Sequence, residues 1–336
     1  MTDKIFKRNL VTSALPYANG NIHLGHIAGA YLPADIYVRF KRQLGEPTLY
    51  IGGSDEHGVP ITLTALKEGI TPQEVVDRYH NANAAAFEKL GISYDIYGRT
   101  SSELHVDTTQ AFFKQLDAQG YIHQEEMELW YSEQLERFLP DRYVKGTCPK
   151  CGYDNANGDE CENCGAQYEA HELVTPRSVI PGDESSPVLR MSRHWFLDLP
   201  KFTDPLKAWL EEHPEWRANV KGIANGWVDD LRSRCITRDT DWGIPVPTDD
   251  PEAEGKRIYV WFDAPIGYVT NTRQWAMDTK RGEDTWKDWW QQDDTRLCHF
   301  IGKDNVPFHA VIFPAMLMGQ NNYVLADQVV GNEYLN

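Results

Sequence analysis

The first apolar run, Asn9 to Leu15, is short, aliphatic and β-branched, and it is closed by Pro16, so it reads as a buried strand. Ala18-Asn19-Gly20-Asn21 beyond it is turn chemistry. From Leu24 to Leu44 the pattern turns helical, and Gly45 supplies a C-terminal stop. Pro33 lies inside that stretch and is expected to kink the helix or break its first turns. Thr48 to Gly52 reads as a second strand. Two capped helices follow. Thr71-Pro72-Gln73-Glu74 is a capping box leading to Gly91, and Thr100-Ser101-Ser102-Glu103 is another, leading to about Gly120. Strand, helix, strand, helix in this order predicts a parallel sheet with crossover helices.

The pattern changes after Gly120. Residues 121–190 are strand-like and loop-rich, with a cysteine cluster in the middle and a Pro/Gly/Ser stretch at Ile180 to Pro187. Alternating segments resume near Cys235. Ile258 to Phe262 reads as a strand and Pro265 to Met277 as a helix. Leu297 to Ile301 is a further strand, Phe308 to Met318 a helix, and Tyr323 to Val330 begins another strand. The pattern is that of an α/β sheet split by an inserted module. No internal repeat or low-complexity tract interrupts it.

The 336 residues are 41% hydrophobic, with 12 Phe, 16 Tyr and 11 Trp, enough for one large domain or two. No apolar run approaches the ~20 residues of a spanning helix. Met1 to Leu10 is polar and mixed in charge, unlike a signal peptide, so a cytoplasmic protein is expected. The formal net charge of −17 opposes nucleic-acid binding, which needs local Lys and Arg. Two basic clusters stand against it: Arg39, Lys41 and Arg42, and Arg232, Arg234 and Arg238. Each reads equally well as a solvated face.

The sharpest chemical signal near the N-terminus is His23-Leu24-Gly25-His26, set after the first strand and at the start of a helix. Free backbone N–H groups and the positive helix end favour an anion there. Gly25 leaves room for a close-packed ligand, and the two histidines can donate to developing charge. The four letters by themselves also fit a polar helix start. A second signal is Cys148-x2-Cys151-x9-Cys161-x2-Cys164. Two such knuckles offer four thiolates to one Zn2+, with no open position, so the metal is expected to be structural and to supply folding energy to a module with little apolar content. Cys235 and Cys298 stand alone and read as small core residues.

Ala14-Leu15-Pro16-Tyr17-Ala18-Asn19-Gly20, followed by His23-Leu24-Gly25-His26, resembles the first signature of the class I aminoacyl-tRNA synthetases, and of their methionine-specific branch in particular. Further matches run along nearly the whole chain: Asp55-Glu56-His57-Gly58, Arg238-Asp239 with Trp242 to Pro247, Tyr259 to Tyr268, and Phe300 to Asp304 with Phe308-His309. The resemblance implies a Rossmann-like parallel sheet with crossover helices, split by an inserted connective domain that carries a zinc knuckle. Its halves would be residues 1–120 and 238–336, with the insert at 121–237 and the knuckle at 148–164.

The family pattern also implies roles. His23, Gly25 and His26 would meet the phosphates of ATP, and Gly302 and Asp304 its ribose. Arg238 would pair with Asp304 and order the site, or else form a surface ion pair worth little. Leu15, Tyr17, Trp261, Ala264, Pro265, Tyr268 and His309 would line an aromatic methionine pocket. The backbone N–H of Leu15 and the hydroxyl of Tyr268 would bond the thioether, and Asp55 would hold the ammonium. Gly29 and Asn305 match one branch of the family and depart from the Glu and Ile of the other. The implied partners are ATP with Mg2+, L-methionine and tRNA(Met), with no membrane. Nothing in the sequence fixes an oligomeric state.

The family's second signature, Lys-Met-Ser-Lys-Ser or Lys-Phe-Ser-Lys-Ser, occurs nowhere in the sequence. Gly331 to Asn336 resembles the lead-in to that loop, so the expectation is a catalytic fragment without the loop and the anticodon-binding domain, able to bind methionine but slow in forming adenylate. Three other readings compete less well. Isoleucine, valine and leucine enzymes need a far longer insert, and a cysteine enzyme needs an open zinc. Short nucleotidyltransferases have no inserted zinc module. A zinc-ribbon RNA-binding protein would be basic, and it leaves Trp261 to Tyr268 unexplained.

Overall fold

The computed structural model describes residues 5–158, 161–166 and 168–333. The chain opens with strand β1 (Arg8–Ser13) and then a helical run of three pieces: α1 (Leu24–His26), a π-turn (Ile27–Tyr31) and α2 (Leu32–Gln43). Strand β2 (Thr48–Ser54), helices α3 (Val59–Glu68) and α4 (Pro72–Lys89), strand β3 (Ile96–Arg99) and helix α5 (Glu103–Ala118) follow. An antiparallel region comes next: β4 (Ile122–Ser132), β5 (Arg137–Phe138), β6 (Val144–Thr147), β7 (Ala156–Asn157), β8 (Val174–Ser178) and β9 (Val188–Leu197). Helices α6 (Thr203–Glu211) and α7 (Ala218–Asp229) lead to the short strands β10 (Arg234–Cys235), β11 (Thr237–Asp239) and β12 (Lys256–Ile258). Helices α8 (Val260–Asp278) and α9 (Thr285–Trp290), strand β13 (Thr295–Gly302), a second π-turn (Phe308–Ile312), helix α10 (Phe313–Gln320) and strand β14 (Ala326–Asn332) complete it.

Five strands form one parallel sheet in the order β14-β13-β1-β2-β3. Side-chain alternation divides its two faces between two cores. Leu10, Leu49, Ile51, Leu297 and Ile301 join the core beneath α5, α8 and α10. Val11, Tyr50, Cys298 and Phe300 join the core shared with Ala34 and Val38 of α2. Both faces are therefore covered, as a parallel sheet requires. Chain order reverses between β1 and β13, and that switch point opens a crevice at the strands' C-terminal ends. Near the sheet, α8 is buried almost all round: Gly53 and Gly98 leave space for Asn271, whose Nδ2 donates to the Gly52 carbonyl at 3.0 Å.

The inserted strands pair as β10-β9-β4-β5 and β7-β6-β8. A small separate core of Trp130, Tyr143, Val144, Leu173 and Ile180 surrounds buried Cys148 and Cys161. Helices α6 and α7 pack into the main core instead, through Leu206, Trp209, Leu210, Val220 and Val228.

Several expectations need revision. The helix from Leu24 does not break at Pro33; the π-turn sits ahead of it, with the Leu32 N–H bonded five residues back to the Ile27 carbonyl. The freed Gly29 carbonyl accepts from Asn332 Nδ2 at 2.6 Å. An identical device precedes Pro314, where the Phe313 N–H reaches the Phe308 carbonyl. Such π-turns let proline enter a continuous helix without its ring striking the preceding turn. Ile258 ends β12, but Val260 to Phe262 open α8 instead of continuing the strand: the buried positions Val260 and Phe262 override the β-propensity of the aromatic run. Thr100 is not a helix cap. Ser102 caps α5, and Thr100 Oγ1 accepts from the Glu56 N–H at 2.8 Å. Helix α3, which the sequence pattern did not reveal, starts after Gly58 at φ 103°. Met1–Lys4 and Tyr334–Asn336, which the terminal readings included, lie outside the described residues.

Candidate active site and metal centre

A cleft of about 460 Å3 lies at the switch point. Its walls bring together His23, Gly25, His26, Gly302 and Asp304 with Leu15, Tyr17, Asp55, Trp261, Ala264, Pro265, Tyr268 and His309. These residues come from the ends of β1, β2 and β13, from α1 and α8, and from the second π-turn, so sequence separation is no guide to their proximity. Asn305, Phe308, Asn332 and Glu333 join them, as does Gly29. Asn332 and Glu333 belong to the stretch that resembles the lead-in to the family's second signature, but no site role was expected of them.

At one end, the two imidazoles of the early loop stack with ring centroids 3.8 Å apart. His23 is the N-cap of α1. Its Nδ1 accepts the Gly25 N–H at 3.1 Å, and His26 Nδ1 accepts the His23 N–H at 3.2 Å. With both Nδ1 atoms acting as acceptors, a neutral ring carries its proton on Nε2. Each ring therefore presents an N–H donor away from the backbone. Partial burial, and then the neighbouring His23, hold His26 below the usual histidine range, against an opposing pull from Asp304. Two outward Nε2–H donors at a helix start form an anion-binding end.

The other end is aromatic. Trp261 meets Phe308 edge-on with centroids 4.8 Å apart. Tyr268 is fully buried, and its hydroxyl lies 2.9 Å from His309 Nε2. His309 Nδ1 is 3.0 Å from the Asn305 carbonyl. Burial pushes His309 down to about 4, with only the Asn305 bond opposing. His299, which sequence reasoning passed over, packs 5.0 Å from His309 and is 2.6 Å from Thr12 Oγ1; burial, then His309, hold it well below the usual range. Gly267 keeps α8 close to this end, because a Cβ there would meet Leu15 Cδ1 at 2.9 Å.

Asp55 is fixed at the rim by a backbone bridge, its N–H bonded to the Pro16 carbonyl at 2.9 Å and its carbonyl to the Ala18 N–H at 2.8 Å. Burial, then the negative charge of Asp263, push its carboxyl well above the usual range. The neighbouring Glu56 faces away and accepts from Arg99 Nε at 3.0 and 2.9 Å. Arg238 is placed apart from the cleft. It lines a smaller cavity of about 100 Å3 with His194 and half-buried Cys235, and its guanidinium stacks 3.8 Å over Tyr259. The expected pairing with Asp304 is thus not the arrangement around Arg238. In the other basic cluster Arg39 binds Asp35, Lys41 binds Glu46 and Arg42 binds Asp95, so its cations are committed within the chain.

The four clustered cysteines form a second centre. Their sulfurs all lie within 4.8 Å of one another, with Cys148 to Cys164 at 3.9 Å and Cys151 to Cys161 at 3.7 Å. A tetrahedron with metal–sulfur bonds near 2.3 Å has edges of about 3.8 Å, so the donor set fits one ion. Each knuckle is built alike: the Gly152 N–H bonds the Cys148 carbonyl and the Gly165 N–H bonds the Cys161 carbonyl. Both glycines take positive φ, 76° and 71°, which turns the chain back toward the sulfurs. Among the described residues no helix is long and apolar enough to cross a membrane.

The doubly wound α/β sheet thus carries an anion-binding end and an aromatic end in one cleft at its switch point, the place where such sheets bind their ligands. The chain belongs to the tRNA synthetases class I (M), whose family model matches residues 9–336. It is 52% identical over 342 residues to a methionine–tRNA ligase of Cytophaga hutchinsonii, covering 100% of this chain and 49% of that protein. It is 53% identical over 336 residues to the corresponding ligase of Porphyromonas gingivalis, covering 99% and 48%. The chain thus spans about half the length of these curated relatives. Among solved structures it is similar to Mycobacterium tuberculosis methionyl-tRNA synthetase bound by methionyl-adenylate, with a TM-score of 0.72 and 25% identity over 97% of this chain and 57% of that one.

Proposed function

We propose that this chain activates L-methionine with ATP and serves the charging of tRNA(Met) in the cytoplasm. The observation that carries the reading is the single cleft in which stacked His23 and His26 face the Trp261–Tyr268–His309 end. A methionine carboxylate oxygen attacks the α-phosphorus, its bond to the β-phosphate bridge breaks, and pyrophosphate leaves. A terminal ribose hydroxyl of tRNA then attacks the carbonyl carbon and releases AMP. Neither step needs a protein nucleophile, so positioning and charge stabilisation carry the catalysis.

Each wall of the cleft has its part. The Nε2–H groups of His23 and His26 donate to phosphate oxygens. Gly302 and Asp304 sit where the ribose lies, and Asp55 receives the ammonium. Leu15, Tyr17, Trp261, Ala264, Pro265 and Tyr268 enclose the thioether chain, a flexible and polarizable group suited to aromatic walls. Mg2+ brought with the substrate ATP would supply charge neutralisation at the phosphates. Cys148, Cys151, Cys161 and Cys164 hold one structural Zn2+ in the connective insert of residues 121–237. Calorimetry with methionine, leucine, cysteine and a non-hydrolysable methionyl-adenylate analogue tests the reading. Methionine and the analogue should bind, the analogue more tightly. Equal affinity for leucine and methionine would refute it.

A further inference from the structure

Behind Asp55 lies a buried polar cluster that the proposed chemistry leaves unused. His57 follows two residues after Asp55 and touches both sides of the cluster: its N–H reaches Asp55 Oδ1 at 3.4 Å, and its ring Nδ1 lies 2.5 Å from Asp263 Oδ2. His105 of α5 closes the far side, with Nε2 3.8 Å from the same oxygen and Nδ1 2.9 Å from Thr270 Oγ1. Asp263 and His105 are wholly buried, and Asp55 and His57 are nearly so. Asp263 stands in the first turn of α8, the helix that also carries Trp261, Ala264, Pro265 and Tyr268 into the cleft. Its second oxygen, Oδ1, is buried with no hydrogen-bond partner among the described residues.

Such a cluster is costly as mere packing. A buried carboxylate with one bare oxygen loses solvation that an apolar residue would not need. Its placement beside the ammonium-binding carboxylate gives it a use. We infer that Asp263, clamped by His57 and His105, is the second carboxylate of the ammonium site: a positioning residue that fixes Asp55 through His57 and makes the cleft select the α-ammonium of its substrate. The inference rests on the methionine reading and adds the origin of amino-group selectivity. Asp55 makes the contact, and Asp263 supplies negative field from behind.

The electrostatics agree in direction. Burial alone would push Asp263 up, but His57 and His105 outweigh it and hold it below the usual carboxylate range. The charge kept there is one of the causes that raise Asp55. The charges acting on Asp55 are Asp263 from α8 and, from a side chain turned the other way, Glu56 just after β2; Tyr17 and the His57 N–H stand beside it. An empty site with Asp55 protonated must release that proton when an ammonium binds.

The test uses the full chain, with methionine and 4-(methylthio)butanoate, the same thioether acid without its amino group. Asp263→Asn keeps an oxygen for His57 and removes the charge. It should weaken methionine about tenfold, the scale of one unit of charge coupling, and change the des-amino acid by less than about twofold. Equal losses for both ligands would mean a purely structural role and would overturn the inference. A measurement on the unsubstituted chain covers the case in which the variant fails to fold. Methionine binding in buffers of different ionisation enthalpy, on the acid side of neutrality, should release protons, and des-amino binding should not. Absence of proton release overturns the inference while leaving methionine recognition standing. If the unsubstituted chain bound neither ligand, the methionine reading would fall, and this inference with it.

Discussion

The Tyr268 hydroxyl donates to His309 Nε2 across 2.9 Å, and the direction is set by the other side of the ring. His309 Nδ1 faces the Asn305 carbonyl at 3.0 Å, and a carbonyl can only accept, so Nδ1 carries the proton of the neutral imidazole. The hydroxyl hydrogen is therefore committed before any thioether arrives. Contact with sulfur then uses the oxygen and ring edge of Tyr268, or requires the hydroxyl to leave His309.

The substitution Tyr268→Phe follows from this. It leaves a buried acceptor on His309 unpaired, at a cost of about 1–3 kcal/mol in stability. Affinity for methionine should fall while affinity for norleucine, its sulfur-free isostere, changes little. Thermal unfolding and calorimetry with the two ligands measure both effects. An unchanged methionine-to-norleucine ratio would remove the hydroxyl from sulfur recognition.

Stability should fall on acidification in a defined window. His309 is held at about 4 in the folded chain by burial, against the ordinary value of 6.5. Its contribution is fully present above 6.5 and is lost as pH falls toward about 4, because the unfolded chain takes the proton first. The full difference is on the order of 3 kcal/mol for this group. His299 is shifted in the same direction and adds to the slope. Urea unfolding at pH 7 and pH 5 should show the loss, and His309→Gln should flatten it.

Much of this arrangement was legible along the chain. The strands at Asn9 and Thr48, the Thr71 capping box and the paired Cys-x-x-Cys knuckles are local signals, and each depends on neighbours a few residues away. The convergence of His23 with Trp261 and His309 came from matching family motifs, since no local rule brings residues so far apart into one cleft. What escaped was non-local. Pro33 and Pro314 are tolerated because π-turns precede them, and the first of those turns hands the Gly29 carbonyl to Asn332, distant in sequence. Ile258 to Phe262 reads as a strand by propensity, yet the strand ends at Ile258 and α8 starts at Val260, with Phe262 buried in the main core. Arg238 matched a motif, yet its guanidinium rests on Tyr259 beside another cavity.

The cysteine centre predicts a metal-dependent module within a metal-independent sheet. The core around Trp130, Tyr143 and Leu173 is small, so a bound ion supplies part of its folding free energy. Elemental analysis should find one zinc per chain. Cys148→Ser should abolish it and make residues 144–178 sensitive to protease, while the parallel sheet keeps its circular-dichroism signal. Loss of the whole fold on chelation would contradict the separate cores.

The two nitrogens of His23 can be tested one at a time. Nδ1 caps α1 by accepting the Gly25 N–H, and Nε2 is left as an outward donor. Asparagine places an oxygen near the Nδ1 position and nothing at Nε2, whereas glutamine reaches the Nε2 position and forfeits the cap. His23→Asn should therefore keep the helix start and lose the phosphate donor. Stability would hold, methionine affinity would hold, and affinity for the adenylate analogue would fall about tenfold or more, the scale of one lost charge-assisted donor. His23→Gln should show the opposite balance, losing about 1 kcal/mol of stability with the cap and retaining more of the analogue affinity. If both variants lost analogue and methionine binding in parallel, His23 would be acting on the shape of the loop and not on the phosphates.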